Sequence, residues 1–438
     1  MQSPVRETAG TSARLGPIHL APEVRPVNAA TYLFAAFAGI TLTTFVSVIL
    51  PYILNVNLAV PFDEQGRVSG NMGFYRELVL ISLSSLIGAL SDRTGRRRIF
   101  VAGLIVLAIG YTIFGFVDTM LKLILVQVFL AVGIGLVNVM VVAIQLDYPA
   151  DESRGKLVGF AGVAIGLGAL SIGVVLTRLP FIYSQSGATE LLAGRYTMFT
   201  MTGIGIVTAF IVGLGLKGGR PPHAKDDQSL RALIESGVSA GRTNPRILLA
   251  YLSAFVSRGD LIAIGTFYTL WLTQAGITKG MSIDEAAKTA GGFFGLVMGI
   301  ALLWAPIMGV INDRLDRTTT MAFALACAGL GYLAMGLIPD PLGVWMFPGA
   351  VALGIGQMSV VSACQTLIGQ EAPREARGAI TGMFSLFGAA GILFITKVGG
   401  QIFDAVGPAA PFVLIGAING LLFLFALKVR RYPHSTRQ

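Results

Sequence analysis

Twelve long apolar runs follow one another along the chain, and they decide what it can fold into. Six lie at about residues 29–56, 72–90, 99–117, 121–146, 157–177 and 196–216. Six more lie at about 247–275, 286–311, 318–338, 342–367, 378–400 and 410–428. A helix that crosses a bilayer needs about 20 apolar residues. Runs of this length without period-two alternation are not strands. Composition points the same way: of 438 residues, 54% are hydrophobic and only 13% charged, against about 25% charged in soluble domains. No soluble core takes up so much apolar surface, so the partner the chain requires is a lipid bilayer. The expected fold class is an all-α integral membrane protein with twelve transmembrane helices.

The net charge of +9 would raise nucleic acid as a partner for a soluble domain. Its distribution gives a different reading. If the amino terminus lies inside, 23 of the 32 Lys and Arg residues fall on the inner side and eight on the outer side, with Arg258 inside the seventh run. That asymmetry is the positive-inside signature of a multi-pass protein, so no nucleic-acid partner is expected. The chain divides into an inner tail (1–28), a six-helix bundle (29–216), a polar linker (217–246), a second six-helix bundle (247–428) and an inner tail (429–438). Within the linker, Ser229–Val238 has the pattern of a short surface helix.

Cys327 and Cys364 both sit in apolar runs, and His19, His223 and His434 lie in tails or the linker. Disulfide frameworks and metal sites therefore have no support, and no histidine is placed for an intramembrane proton relay. Residues 1–28 lack an apolar core of signal-peptide type. Gly213–Gly218 fits GxGxxG but follows a membrane run rather than a strand, so it is no nucleotide site. Ser282-Ile283-Asp284-Glu285 reads as a capping box opening the eighth helix. No ATP-binding loop or nucleophilic triad occurs; neither an enzyme nor a cofactor is expected.

The two halves echo each other. Gly88-Ala89-Leu90-Ser91-Asp92-Arg93 returns as Gly309-Val310-Ile311-Asn312-Asp313-Arg314, 221 residues later. Gly133-Ile134-Gly135 returns as Gly354-Ile355-Gly356 at the same offset, and Glu152-Ser153-Arg154-Gly155 as Glu375-Ala376-Arg377-Gly378 at 223. Ordered matches at one offset describe two six-helix bundles in the same orientation, a parallel repeat.

Gly88–Arg98, between the second and third runs, resembles the G-x-L-x-D-R-x-G-R-[KR] loop of the major facilitator superfamily. Gly399-Gly400-Gln401-Ile402-Phe403-Asp404, followed by Pro411-Phe412, is similar to that superfamily's last hairpin. The resemblance extends over the whole chain through helix number, repeat and loop positions. It implies a monomeric transporter fold with a charge-lined inner gate. Gly88 would allow close helix approach, and Asp92 would face the positive start of helix 11 near Gly378. Asp313 would face the start of helix 5 near Gly155. Arg93, Gly95, Arg96, Glu152, Arg154, Arg314, Glu375 and Arg377 would complete the gate. The second copy carries Asp316 where the pattern has glycine, which predicts a looser turn there. Finer signatures are missing: helix 5 is glycine-rich without a Gly-Pro pair, and helix 1 has no carboxylate.

Ionisable residues within membrane helices are costly and mark functional candidates. At about 1.5 Å per residue, Arg76 lies roughly 21 Å from the inner end of its helix, and Arg258 and Asp260 about 16 and 20 Å from theirs. Each half thus brings one base and one acid, Arg76 with Glu77 and Arg258 with Asp260, to similar depth. Two cross-half pairings are possible: Glu77 with Arg258, or Arg76 with Asp260. Either acid is a candidate proton carrier, and a static ion pair is the structural alternative. Lys397, near the outer end of helix 11, is expected to reach the interface. The resemblance makes helices 1, 4, 7 and 10 the cavity walls. Thr43, Thr44, Asn138, Thr266, Tyr268, Gln357 and Gln365 lie on them, with Asn138 and Gln357 near mid-depth.

The resulting expectation is a secondary active transporter that moves a small organic solute by alternating access with proton coupling. It would sit in a bacterial inner membrane with both termini cytoplasmic. Spare arginines favour an organic anion or zwitterion. Fourteen methionines and an uncharged first helix fit the alternative, an exporter of amphipathic drugs or lipid-like molecules. A transporter-like scaffold or sensor that moves nothing is the third.

Overall fold

The computed structural model describes residues 13–219, 230–373 and 376–431. Among these are twelve helices long and apolar enough to cross a membrane. Spans 1 to 6 are Pro26–Val56, Phe62–Thr94, Arg96–Phe114, Met120–Asp147, Arg154–Gln185 and Glu190–Gly215. Spans 7 to 12 are Pro245–Thr278, Ile283–Arg314, Arg317–Met335, Met346–Glu371, Arg377–Ala405 and Ala410–Val429.

Local chemistry sets the ends. Thr119 accepts from Lys122 N to open span 4, and Thr189 accepts from Leu192 N to open span 6. Each threonine satisfies an N–H that the first turn of a helix leaves without a partner. Asn244 accepts from Arg246 N, with Pro245 at the first helical position of span 7, where proline loses no intrahelical bond. Gly95, at φ 98°, makes the break between spans 2 and 3 in a region that favours glycine. At its counterpart Asp316 the break is one residue longer, Leu315 and Asp316 standing between Arg314 and Arg317. Asp316 adopts φ −58° and caps span 9 by accepting from Thr319 N at 3.1 Å. Ser282 precedes span 8 but makes no side-chain cap, so the expected capping box does not form.

Span 2 is 33 residues long, far longer than the apolar run 72–90. Asp63, Glu64 and Arg67 break the hydropathy of its first two turns without breaking the helix. Span 7 is helical throughout but widens to a π-helical turn at Ile264–Tyr268, a local feature often found at functional positions.

Between halves, span 2 packs on span 11 and span 5 packs on span 8. These seams close at one end only. Gly66, Gly70 and Gly73 of span 2 lie against Thr396, Gly400 and Phe403 of span 11, and Gly173 of span 5 lies against Gly291 and Gly295 of span 8. At the opposite end, which carries Arg96–Arg98, Lys156 and Arg317, the halves are apart. Gly88, Gly155, Gly309 and Gly378 have nothing within 4 Å of where a Cβ would stand. The gap between the halves therefore opens toward this basic end.

Two further elements cover the basic end. A hairpin pairs Arg14–Leu15 with Ile18–His19 around Gly16. It docks on the segment between spans 4 and 5, with His19 N donating to Ser153 Oγ and Ala150 N to His19 O, both at 3.0 Å. The linker helix, Leu230–Thr243, packs on spans 7 and 11. Tyr251 donates its hydroxyl to Gly237 O at 3.1 Å.

Candidate functional site

Of the charged residues of spans 2 and 7, Glu77 and Arg258 approach each other across the halves, and Arg76 and Asp260 do not form a second pair. Arg76 is buried within the first half, and its Nη1 donates to Ser47 Oγ of span 1 at 2.7 Å. Tyr111 of span 3, whose hydroxyl donates to Leu42 O, completes its surroundings. Ser47 also faces the other half: its Cβ lies 4.0 Å from the Cβ position of Gly265, in the π-helical turn of span 7.

Glu77, 8% exposed, stands within electrostatic reach of Arg76 and of Arg258 in the opposite half. Arg258 is exposed to the gap, its stem packed on Gly388 of span 11. Of the two pairings open from sequence, Glu77 with Arg258 has the right neighbourhood. No direct ion pair within 4.0 Å joins them among the described residues.

The pairing of Arg76 with Asp260 is not made. Asp260 is fully buried inside the second half, with no hydrogen-bond partner for either carboxyl oxygen among the described residues. It lies within electrostatic reach of Tyr332 on span 9. Asp260 follows Arg258 by two positions, which turns them about 200° apart around the helix. One side chain therefore enters the gap while the other points into the bundle. Tyr332 and Tyr268, both fully buried, each lie against Phe412, and neither hydroxyl has a partner among the described residues.

The weaker candidates divide similarly. Asn138 is exposed, whereas Gln357 is 7% exposed with its Oε1 unpartnered among the described residues. Lys397 donates to Asn71 Oδ1 of span 2 at 2.9 Å; it bridges the halves as well as lying near the helix end. Ser47 and Tyr332 are absent from the sequence reading, since a serine or tyrosine in an apolar helix gives no signal of the charge it will face.

At the basic end the expected gate is apart. Asp92 pairs with Arg96 of its own half at 2.7 Å, and Arg96 also reaches Asp147 at 3.0 Å and Ser91. Arg93, Arg154, Asp313, Arg314 and Arg377 are exposed. Glu152 bonds His19 of the docked hairpin. Glu375 lies outside the described residues.

Comparison with known proteins agrees with this architecture. The family model described as "Major Facilitator Superfamily" matches residues 32–396. "Magnetosome protein MamH" of Paramagnetospirillum magneticum is 28% identical over 93% of this chain and 93% of its own length. "Magnetosome protein MamZ" of Magnetospirillum gryphiswaldense is 25% identical over 86% of this chain, which spans 58% of that longer protein. Among solved structures, a bacterial homologue of the human lysosomal transporter Spinster, in an inward-facing and unoccupied conformation, superposes with a TM-score of 0.68 at 16% identity. It covers 94% of this chain and 100% of that one. The chain is a multi-pass membrane transporter and not an enzyme, and it belongs to the major facilitator superfamily.

Proposed function

We propose that the protein is a proton-coupled secondary transporter that moves a small organic anion or zwitterion by alternating access. The observation that carries this reading is the placement of Glu77 of one half opposite Arg258 of the other, in a gap sealed at one end and open at the basic end. A buried, hydrogen-bonded Arg76 stands beside them. Charges inside a membrane are costly unless they act, and these straddle the plane along which the halves separate.

The halves 29–216 and 247–428 act as the two moving bodies. A solute carboxylate entering from the basic end binds between Arg258 and Arg76. Glu77, which faces the same gap, takes up a proton as the anion displaces it from the arginines. Asp260 is the second candidate carrier, sealed behind the wall of the second half. Asn138 borders the solute path, and Gln357 presents a spare acceptor. The basic end faces the cytoplasm of a bacterial cell, both termini lie there, and one chain suffices.

The test is reconstitution in liposomes that hold a trapped pH dye, with pooled organic anions, amino acids, sugars and amphiphiles added outside. Solute-triggered proton flux that is lost in Glu77→Gln and retained in Asp260→Asn is the expected result. Binding of the same solute should vanish in Arg258→Ala. Flux driven by hydrophobic amphiphiles and indifferent to Arg258→Ala would replace this reading with a drug or lipid exporter. No flux and no uptake of any pooled solute would replace it with a scaffold.

A further inference from the structure

The end of the molecule opposite the basic end is held shut by more than helix packing. Asp404, in the last turn of span 11, reaches across to the beginning of span 2. Its Oδ1 accepts from Gly66 N at 2.8 Å and its Oδ2 from Arg67 N at 2.7 Å. Both donors are main-chain groups just past the first turn of a helix that starts at Phe62. A carboxylate that accepts two N–H groups in this way makes charge-assisted hydrogen bonds, stronger than neutral ones. The approach is possible because residue 66 is glycine: a Cβ there would overlap the Asp404 carboxylate itself.

A second carboxylate crosses the seam in the other direction. Glu190, the first residue of span 6, accepts with Oε1 from Ile283 N at 3.2 Å. Ile283 is the first residue of span 8, the helix whose own Ser282 provides no side-chain cap. Glu190 therefore supplies from the first half the cap that the second half lacks. Its main-chain carbonyl is fixed in turn by the Tyr52 hydroxyl at 2.6 Å. Around these contacts Gln274 of span 7 donates to Phe62 O at 3.0 Å and to Gln65 Oε1 at 3.2 Å.

We propose that Asp404 and Glu190 form a reciprocal latch that holds this end closed, and that it must release for the gap to open there. Each half lends one carboxylate to the beginning of a helix of the other, so neither half can rotate away without breaking these hydrogen bonds and freeing a carboxylate. The seams between halves carry Asp92 and Asp313 at their basic ends, now apart. Asp92 of span 2 lies at the basic end of the seam with span 11 and Asp404 of span 11 at its closed end, and of these two Asp404 is engaged across it. The transporter's choice of open end becomes a competition between contacts of one chemical type.

This inference rests on the alternating-access reading, and its test separates the two. Spin labels at Leu121→Cys and Val344→Cys, in a background with Cys327 and Cys364 replaced by serine, report the distance between halves at the closed end. Both label positions are well exposed, at 67% and 72%. Asp404→Asn keeps the side chain's size and removes its charge. It should raise the population with a longer distance roughly tenfold, the scale of one charge-assisted hydrogen bond. Glu190→Gln should act in the same direction, and Asp404→Glu should restore part of the short-distance population. Asp92→Asn serves as the control for alternation and should deplete the longer-distance population. Should Asp92→Asn act while Asp404→Asn and Glu190→Gln leave the distribution as in the wild type, the latch is overturned and alternation stands. A single unchanged distribution in all of the variants overturns both.

Discussion

Arg317 does in the second half what Arg96 does in the first, 221 residues earlier. Arg96 reaches back to Ser91 and across to Asp147 at the end of span 4. Arg317 reaches back to Asn312 O and across to Gln370 Oε1 at the end of span 10, at 2.9 Å. The repeat read from the Gly88 and Gly309 loops thus extends to hydrogen bonding, with a difference in the contact to the neighbouring helix. The first half ties its helices with an ion pair, and the second uses a neutral amide.

That difference is measurable. Arg96→Ala should destabilise the first half by about 1–2 kcal/mol, the range for a half-exposed, charge-assisted contact. The matching loss at Arg317 should be smaller, because no charge is left behind at Gln370. Thermal unfolding in detergent, with Asp147→Asn completing a double-mutant cycle, checks the ranking. Equal losses at both positions would contradict it.

The glycines of span 2 should respond in opposite ways along its length. A methyl group at Gly70 would overlap the Thr396 carbonyl oxygen, and one at Gly73 would lie 2.7 Å from the Thr396 methyl. Gly70→Ala should therefore weaken the form seen here by about 1–3 kcal/mol through overpacking. Gly88 is open in this form, so Gly88→Val should leave it intact and hinder closure of the basic end. Thiol accessibility at the two ends of the gap distinguishes them: Gly70→Ala raises labelling at the closed end, and Gly88→Val raises it at the basic end.

Ser47→Ala tests the support of Arg76. The guanidinium is buried, and the serine hydroxyl accepts from it at 2.7 Å. Leaving a buried donor without its partner costs about 1–3 kcal/mol. The melting temperature should fall, and Ser47→Thr should recover most of it. If Ser47→Ala melts as the wild type does, Arg76 is held by other contacts.

Lys279 and Asp340 pin the loop between spans 9 and 10 to the end of span 7 at 2.6 Å. The Lys279 hydrogen bond, helped by Leu342 N, lowers the Asp340 carboxyl below its ordinary value. The sign follows from that direction. A group lowered on folding adds stability above its unfolded pKa and loses it as pH falls through the lowered folded value. The pin is intact at neutral pH and releases only in acid. Comparing wild type with Lys279→Met across pH should show curves that differ slightly at pH 7 and converge in acid. A gap that widened in acid would contradict the assignment.

Much of the architecture was legible because membrane insertion imposes a simple code of apolar length and basic loops. The twelve spans and the half-repeat came from that code, whereas their ends did not. Asp63, Glu64 and Arg67 read as the outside of span 2, although they form its first turns. Rotation around span 7 was legible in part: the spacing of Arg258 and Asp260 showed that both could not face one side, but not which would face the gap. The π-helical turn at Ile264–Tyr268 left no mark that sequence periodicity could register. Contacts such as Asp404 with Gly66 join residues 338 positions apart through main-chain N–H groups, which every non-proline residue carries. No pattern of side chains could have announced them.

The docked hairpin near the amino terminus has a consequence for how the first half is made. Its receptor contains Ser153, synthesised 134 residues after the His19 that binds it. Ile18 and Leu20, buried once docked, must wait in water until span 4 has returned the chain to the basic face. Resistance of the exposed Arg14 to trypsin is therefore a clock for assembly. It is absent on nascent chains that end before the fourth passage through the bilayer, and it appears when that passage is complete.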